Sequence, residues 1–345
     1  MLKTFPLPPA PKTPVRLGVI GCGGIARNAH FPALKTLLDL GWPLSVSAVC
    51  DLKAENLELA RRAFPSAKAH TDSVALLKSD EADAFLFCLF PEVVEKLLPL
   101  CFERGIPLLV EKPVSHDPAR LLAFAEEAER RKAVVQVAFN RRFASGAKAV
   151  RESLGKESLT GAAIRFWRRD RVASNFYHDT MVHAVNLAQY FLGPLTLERA
   201  EGGGPQSGSP LTPWIIARLR APSGVACELD VRPAVGQDTE TYEFFAQKRT
   251  HHWAFAAITG SQGGGRWAVL EGGQQDCRFD FNAALAKDPS EEMSLMRGFT
   301  HQLAHFLSGR GLPDFDPVSS LRTAWETASL SDRIREQAGA NVNGH

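Results

Sequence analysis

The chain has 345 residues, 45% hydrophobic and 23% charged, with 40 Lys+Arg against 38 Asp+Glu for a formal charge of +2. At roughly 100 to 200 residues per domain this length accommodates two domains, or three, and a core that needs no disulfide or metal staple. Balanced charge gives no electrostatic footprint for nucleic acid or an anionic membrane, and the longest apolar stretch, 84–91, is far short of the ~20 residues that cross a bilayer.

Residues 1–14 are rich in proline and lack an apolar core, so they read as a flexible arm and not as a secretion signal. Short apolar strands are then predicted over 15–20, 45–50, 68–70, 83–89, 107–110 and 133–139, with helical stretches between them. Asp117-Pro118 has the form of a helix N-cap followed by proline in the first turn, and Leu121, Phe124, Ala125 and Ala128 mark one buried face. Strands that are apolar on both faces and separated by helices specify a parallel sheet covered on both sides, a doubly wound nucleotide-binding domain over 15–143.

Beyond about 154 the rhythm changes. Alternating segments at 162–169, 215–219, 225–231, 240–246, 251–257 and 266–270 predict antiparallel strands, with helices over 177–192, 293–307 and 318–337. The expected second domain, 144–338, is α+β with a large, mostly antiparallel open sheet whose free face needs cover from helices or from another subunit; the last helices are the part that could pack back on the first domain. The glycine-rich stretches from Gly202 and Ser261 read as loops. Six scattered cysteines without CxxC spacing read as buried free thiols of a reducing cytoplasm, and no metal site is expected.

Gly21-Cys22-Gly23-Gly24-Ile25-Ala26 follows the first strand and opens a helix. The first glycine permits the tight turn, the second lets the backbone approach a pyrophosphate, and Ala26 allows close packing, while helix amides face the phosphates. Asp51 ends the second strand, where a carboxylate accepts hydrogen bonds from the adenosine ribose. A carboxylate there repels a 2′-phosphate and favours NAD, with NADP left open by nearby Lys53 and Arg27. Glu111-Lys112-Pro113 ends the fifth strand at the carboxyl edge of the sheet, where Lys112 could hold a substrate oxygen and stabilise developing negative charge.

GCGGIA after the first strand, VEKPVS after the fifth, AFNRRF after the sixth and HDTMVHAVNLAQYFLG in the second domain occur in one order. In this the sequence resembles the glucose-fructose oxidoreductase / inositol dehydrogenase / rhizopine catabolism (Gfo/Idh/MocA) family of NAD(P)-dependent oxidoreductases. The resemblance implies an N-terminal Rossmann domain, a C-terminal α/β domain, homodimers or homotetramers built on its open sheet, and sugar or cyclitol substrates. It assigns catalysis to Lys112, Asp179 and His183, makes Pro113 a candidate for a cis peptide, and places Asn140 and Arg141 at the domain junction as cofactor or substrate contacts. The cofactor set expected is Gly21, Gly23, Gly24, Ile25, Ala26, Asp51, Phe90, Glu111, Lys112, Asn140 and Arg141.

Asp179 and His183 are four apart and would share a helix face, so His183 could take a substrate hydroxyl proton as hydride leaves the same carbon. The family's DxGxH glycine is Met181 here, the acid three residues past the His is Asn186, a usual glycine run is Ser174-Asn175-Phe176, and a usual His is Val94; these bulkier, less polar groups imply an altered pocket. Arg165, Arg168, Arg169 and Arg171 surround Trp167; Arg168, with Tyr177 and His178, is a candidate substrate contact, and a strand would turn Arg169 and Trp167 to the face opposite Arg168. The reading is a cytoplasmic NAD(P)-dependent dehydrogenase or reductase acting on a CH–OH group of a sugar, cyclitol or related compound, without nucleic acid or membrane partners. An NAD-using glycosidase and a non-catalytic dinucleotide or sugar sensor are the alternatives.

Overall fold

The structure, a computed structural model, describes residues 6–155, 157–169, 176–203, 214–255, 266–272, 274–279, 287–311 and 318–339. The chain forms two compact units, Pro6–Ala144 with Ala283–Trp325, and Ser145–Asn282 with Glu326–His345.

In the first unit six strands, β1 (Val15–Ile20), β2 (Leu44–Cys50), β3 (Lys68–His70), β4 (Ala84–Phe87), β5 (Leu108–Val110) and β6 (Val135–Val137), make one sheet in the order β3-β2-β1-β4-β5-β6. Every neighbouring pair is parallel. This is the order of a Rossmann domain, whose direction reverses between β1 and β4 and leaves a crevice at their carboxyl ends. The central strands are apolar on both faces because helices cover both; β4, Ala-Phe-Leu-Phe, is wholly buried. Asp117 caps the helix Pro118–Arg131 as expected, its Oδ1 accepting from the amides of Ala119 and Arg120.

Two features of this unit depart from the expectation. The predicted helix over 293–307 is two helices, Pro289–Met296 and Phe299–Gly309, broken at Gly298. They belong with the nucleotide-binding unit: Phe299, Leu303, Phe306 and Leu307 share one core with Leu34 and Leu37 of helix Phe31–Asp39 and with Val19 and Leu86 of the sheet. Ser319 donates its hydroxyl to the Val137 carbonyl and Gln302 donates to the same carbonyl, so edge strand β6 is shielded by residues from far along the chain. The predicted arm is the second departure. Within 6–14, Leu7 packs against the core, Pro11 is buried and Ser308 donates to the Pro9 carbonyl, so the described part of this segment is docked, not loose.

In the second unit eight strands follow: β7 (Leu159–Trp167), β8 (Thr196–Gly203), β9 (Trp214–Arg220), β10 (Ala226–Arg232), β11 (Thr239–Ala246), β12 (Arg249–Ala254), β13 (Arg266–Glu271) and β14 (Gln274–Phe279). They form one sheet in the order β14-β13-β12-β11-β7-β10-β9-β8. All pairs are antiparallel except β7 with β10, which run parallel, so the sheet is mostly antiparallel as expected. The polar sequences of β8 and β14 hid these strands, because edge strands have little apolar alternation to show.

One face of this sheet buries Ile164, Phe166, Tyr242, Phe244 and Trp253, and Phe191 of helix Val182–Leu192 meets Phe244, Tyr242 and Trp253 at ring-centre distances of 4.9, 5.9 and 6.0 Å. The alternate positions carry a cross-strand ladder of charge: Arg165 pairs with Glu243 at 2.6 Å, Trp167 donates to Asp230 at 3.0 Å, and Arg232 pairs with Asp230 at 2.9 Å. Helix Val182–Leu192 therefore packs on the apolar face, and the other face mixes these charged pairs with Trp214, Ile216, Phe245 and Leu270.

Burial holds the thiols of Cys22, Cys101 and Cys227 up at about 12 and that of Cys50 at about 11. A thiol at 12 is about one part in 10⁴ thiolate at pH 8, so Cys22, Cys101 and Cys227 are expected to alkylate at least about 10²-fold more slowly than free cysteine in native protein. Peptide mapping after timed iodoacetamide treatment reads this, and rapid labelling at those three positions before unfolding would contradict it. The side chain of Cys277 lies outside the described residues.

Candidate active site

The glycine turn sits at the carboxyl end of β1, beside the ends of β2 and β4. Gly21 donates its amide to the Cys50 carbonyl, and the Cys88 amide returns to the Ile20 carbonyl, so the turn is fastened to both neighbouring strands. Gly21 has φ +89°, and a Cβ there would stand 2.2 Å from the Cys88 carbonyl oxygen. Glycine is thus demanded by the protein itself at this position. Gly23 and Gly24 differ: neither has a positive φ, and a Cβ on either meets no protein atom within 4 Å. Their lack of a side chain answers to no internal contact and leaves clear approach to the backbone, which fits a pyrophosphate lying against the turn.

After the turn the chain makes one π-helical turn, Ala26–His30, before the helix Phe31–Asp39, and the Ala29 carbonyl accepts from Ser294. Asp51 locks the turn from β2: Oδ2 accepts from the Cys22 amide at 2.7 Å and from Asn56 at 3.1 Å, and Oδ1 accepts from the Lys53 amide at 2.8 Å. Of the roughly four lone-pair positions of a carboxylate, three are filled from among the described residues, which leaves one on Oδ1. Three large apolar side chains are exposed at these strand ends, Ile25 at 42%, Leu52 at 88% and Phe90 at 80%. Exposed apolar groups gathered at the mouth of a polar turn suit the flat faces of a dinucleotide. Leu52 was not singled out from sequence; its signal was its place directly after Asp51.

Glu111 ends β5 and is buried, and Lys112, half-buried, follows with a cis peptide to Pro113. Glu111, expected among the cofactor contacts, accepts from His30 Nε2 at 2.7 Å and from the Lys112 amide at 3.2 Å. Burial, with the Glu111 charge adding to it, pushes the Cys88 thiol well up. His30 escaped the sequence reading because nothing local distinguishes it from any other histidine at the start of a helix.

Asn140 and Arg142, in the short 3₁₀ turn Asn140–Phe143, donate to the carbonyls of Arg297 and Val318. The Asn140 amide thus fastens the Gly298 break, and Arg141, between them, is half-buried. Val94 is wholly buried in helix Pro91–Arg104 and takes no polar role.

In the second unit the predicted helix over 177–192 is a π-helical turn, Tyr177–Met181, followed by helix Val182–Leu192. Asp179 lies in the π turn and His183 in the first α turn, so the simple four-residue face argument holds only approximately across this junction. His183, Met181 and Tyr177 are buried while Asp179 and His178 are half-buried; burial pushes the Tyr177 phenol up to about 12 against the opposing pull of Arg335. Asn186 donates to Thr327, which donates to Gln189, so the position of the family's acid is spent on tying two helices together. Arg168 is buried, pairs with Glu240 at 2.8 Å and lies 3.7 Å from the centre of the Phe166 ring. It continues the buried face of β7, opposite Trp167, as the alternation predicts, and Glu240 already neutralises its charge. Arg169 is exposed, its amide bonded to Asp238, while Arg171, Ser174 and Asn175 lie outside the described residues.

Comparison with known proteins is consistent with this geometry. Residues 15–139 match the GFO/IDH/MocA oxidoreductase family, NAD-binding Rossmann fold. Inositol 2-dehydrogenase of Paracoccus denitrificans is 30% identical over 189 residues, covering 52% of this chain and 54% of that protein. The chain thus aligns with about half the length of the curated relatives it matches. Among solved structures, UDP-N-acetylglucosamine 3-dehydrogenase of Acidithiobacillus ferrooxidans has a TM-score of 0.75 at 17% identity, covering 95% of this chain and 99% of that one. A 3-ketoreductase of Actinomadura kijaniata, solved with NADP and TDP-benzene, has a TM-score of 0.70 at 19% identity, covering 94% and 98%. At such identities these two show the shared fold alone. Residues 15–139 are thus similar to the NAD-binding Rossmann domain of the Gfo/Idh/MocA oxidoreductase family.

Proposed function

We propose that the protein is an NAD(P)-dependent oxidoreductase that moves hydride between nicotinamide and a CH–OH carbon of a sugar, cyclitol or related hydroxy/keto compound. The observation that carries this is the turn at the β1/β4 switch point: among the described residues no side chain or neighbouring element comes within 4 Å of a Cβ placed on Gly23 or Gly24, and Asp51 holds the turn with one acceptor position to spare. Bound NAD would supply the hydride acceptor at nicotinamide C4. Gly23, Gly24 and the following turn would hold the pyrophosphate, Asp51 the ribose, and Ile25, Leu52 and Phe90 the flat ring faces. Lys112 Nζ would hold the substrate oxygen as negative charge develops on it, His183 would receive the hydroxyl proton on a ring nitrogen, and Asp179 would orient the substrate. The fit to a polyol is supported by the inositol 2-dehydrogenase relatives. The reading extends to a cytoplasmic homodimer or homotetramer joined through the second unit's sheet; no helix among the described residues is long and apolar enough to cross a membrane.

Mixing purified protein with NAD+ and a panel of cyclitols and sugars while following absorbance at 340 nm tests the reaction; tight NAD+ binding with no NADH from any of them would favour a sensor. Asp51→Ala tests the cofactor assignment separately. Loss of a charged acceptor is expected to weaken NAD+ binding about 10- to 100-fold and to shrink the preference over NADP; unchanged affinity by titration calorimetry would remove Asp51 from the site.

A further inference from the structure

The residue that holds Lys112 in place is read from a buried pair at the end of β5. His30 Nε2 lies 2.7 Å from Glu111 Oε1, with side-chain exposures of 0% and 8%. The ring is fixed on its other side by an edge contact with Phe299, 5.2 Å between ring centres, and its Nδ1 has no hydrogen-bond partner among the described residues. A carboxylate can only accept, so the imidazole donates its Nε2 proton to Glu111. Glu111 in turn accepts the Lys112 amide on Oε2 at 3.2 Å. The result is a continuous line from the π turn Ala26–His30, which closes the glycine turn, through one imidazole and one carboxylate to the backbone of Lys112.

Burying a carboxylate is costly unless it is paired and hydrogen-bonded, and an apolar pair of the same volume would serve the core as well or better. What an apolar pair could not do is orient the Lys112 peptide against the phosphate-binding turn. We propose that His30 and Glu111 are positioning residues for Lys112: they set the direction in which its ammonium meets the substrate oxygen, and neither touches substrate or cofactor. This rests on the oxidoreductase reading above for Lys112.

The test uses His30→Leu, which removes the donor, and His30→Gln, which keeps an N–H within reach of Glu111. In full-length protein His30→Leu is expected to lower kcat by about 10- to 100-fold, because a displaced catalytic group costs that much, with KM and the NAD+ dissociation constant within about threefold. His30→Gln is expected to recover most of the loss. Amide hydrogen exchange over 111–114, measured without substrate, is expected to quicken at least about tenfold in His30→Leu and to return toward wild type in His30→Gln. Unchanged exchange in folded His30→Leu would overturn the proposal, as would a glutamine variant as impaired as the leucine one. If His30→Leu does not fold, Glu111→Gln is read in its place, with the same increase in exchange expected. A wild-type protein that binds NAD+ and turns over nothing would defeat the oxidoreductase reading, while the exchange measurement still decides whether the pair holds the Lys112 peptide.

Discussion

Lys112→Ala is expected to reduce kcat by about 10²- to 10³-fold, the usual cost of removing one donor aimed at developing oxyanion charge. NAD+ affinity should stay within about threefold, since the turn, Asp51 and the apolar rim are untouched and only an interaction strongest in the transition state is lost. The Lys112 backbone amide, which Glu111 holds, is unchanged by this substitution. Steady-state kinetics with calorimetric titration of NAD+ separates the two effects. Turnover within about threefold of wild type would remove Lys112 from the chemistry, and a loss confined to NAD+ affinity would make it a cofactor ligand.

The glycines of the turn are expected to respond in opposite ways, and the contrast is diagnostic. Gly21→Ala forces an L side chain to φ +89° and drives its Cβ into the Cys88 carbonyl, which is backbone and cannot swing aside. Strain of this kind costs of order 1–3 kcal/mol before any clash is counted, so the melting temperature should fall by several degrees, about 2–4 °C per kcal/mol for a domain of this size. Gly23→Ala and Gly24→Ala meet no neighbour, and their melting temperatures should move by about a degree or less. Their cost should appear only with ligand, as at least about a tenfold loss of NAD+ affinity where the new methyl occupies the approach to the phosphates. Thermal melts paired with NAD+ titration read both. A Gly23→Ala variant that binds NAD+ as tightly as wild type would show that the empty space beside the turn is not where the dinucleotide lies.

The Rossmann sheet was legible because its central strands are short, largely apolar runs, as in β4, and the strand bounds differ from the pattern only by ragged ends. Asp51 and the glycine turn were legible for a different reason, since phosphate binding by backbone requires glycine and leaves that requirement in the sequence. Contacts made across long stretches of chain left no such mark. Nothing near His30 announces Glu111, which is 81 residues away. The helices around 289–309 gave their apolar faces but not the sheet they would cover. The parallel pairing of β7 with β10 was invisible because strand direction depends on the route between strands, and β8 on that route is too polar to be seen. The π turns at Ala26–His30 and Tyr177–Met181 are equally silent in sequence, although such turns recur at functional sites.

Hydride transfer itself is tested most directly with a cyclitol deuterated at its ring carbons, incubated with the enzyme and NAD+, and mass analysis of the recovered nicotinamide cofactor. Reduced cofactor carrying one deuterium from the substrate carbon is the predicted result, and its rate of formation should fall about 10²- to 10³-fold with Lys112→Ala. Across the cyclitol and sugar panel, reduced cofactor without the label, or no reduced cofactor despite saturating NAD+ binding, would contradict it.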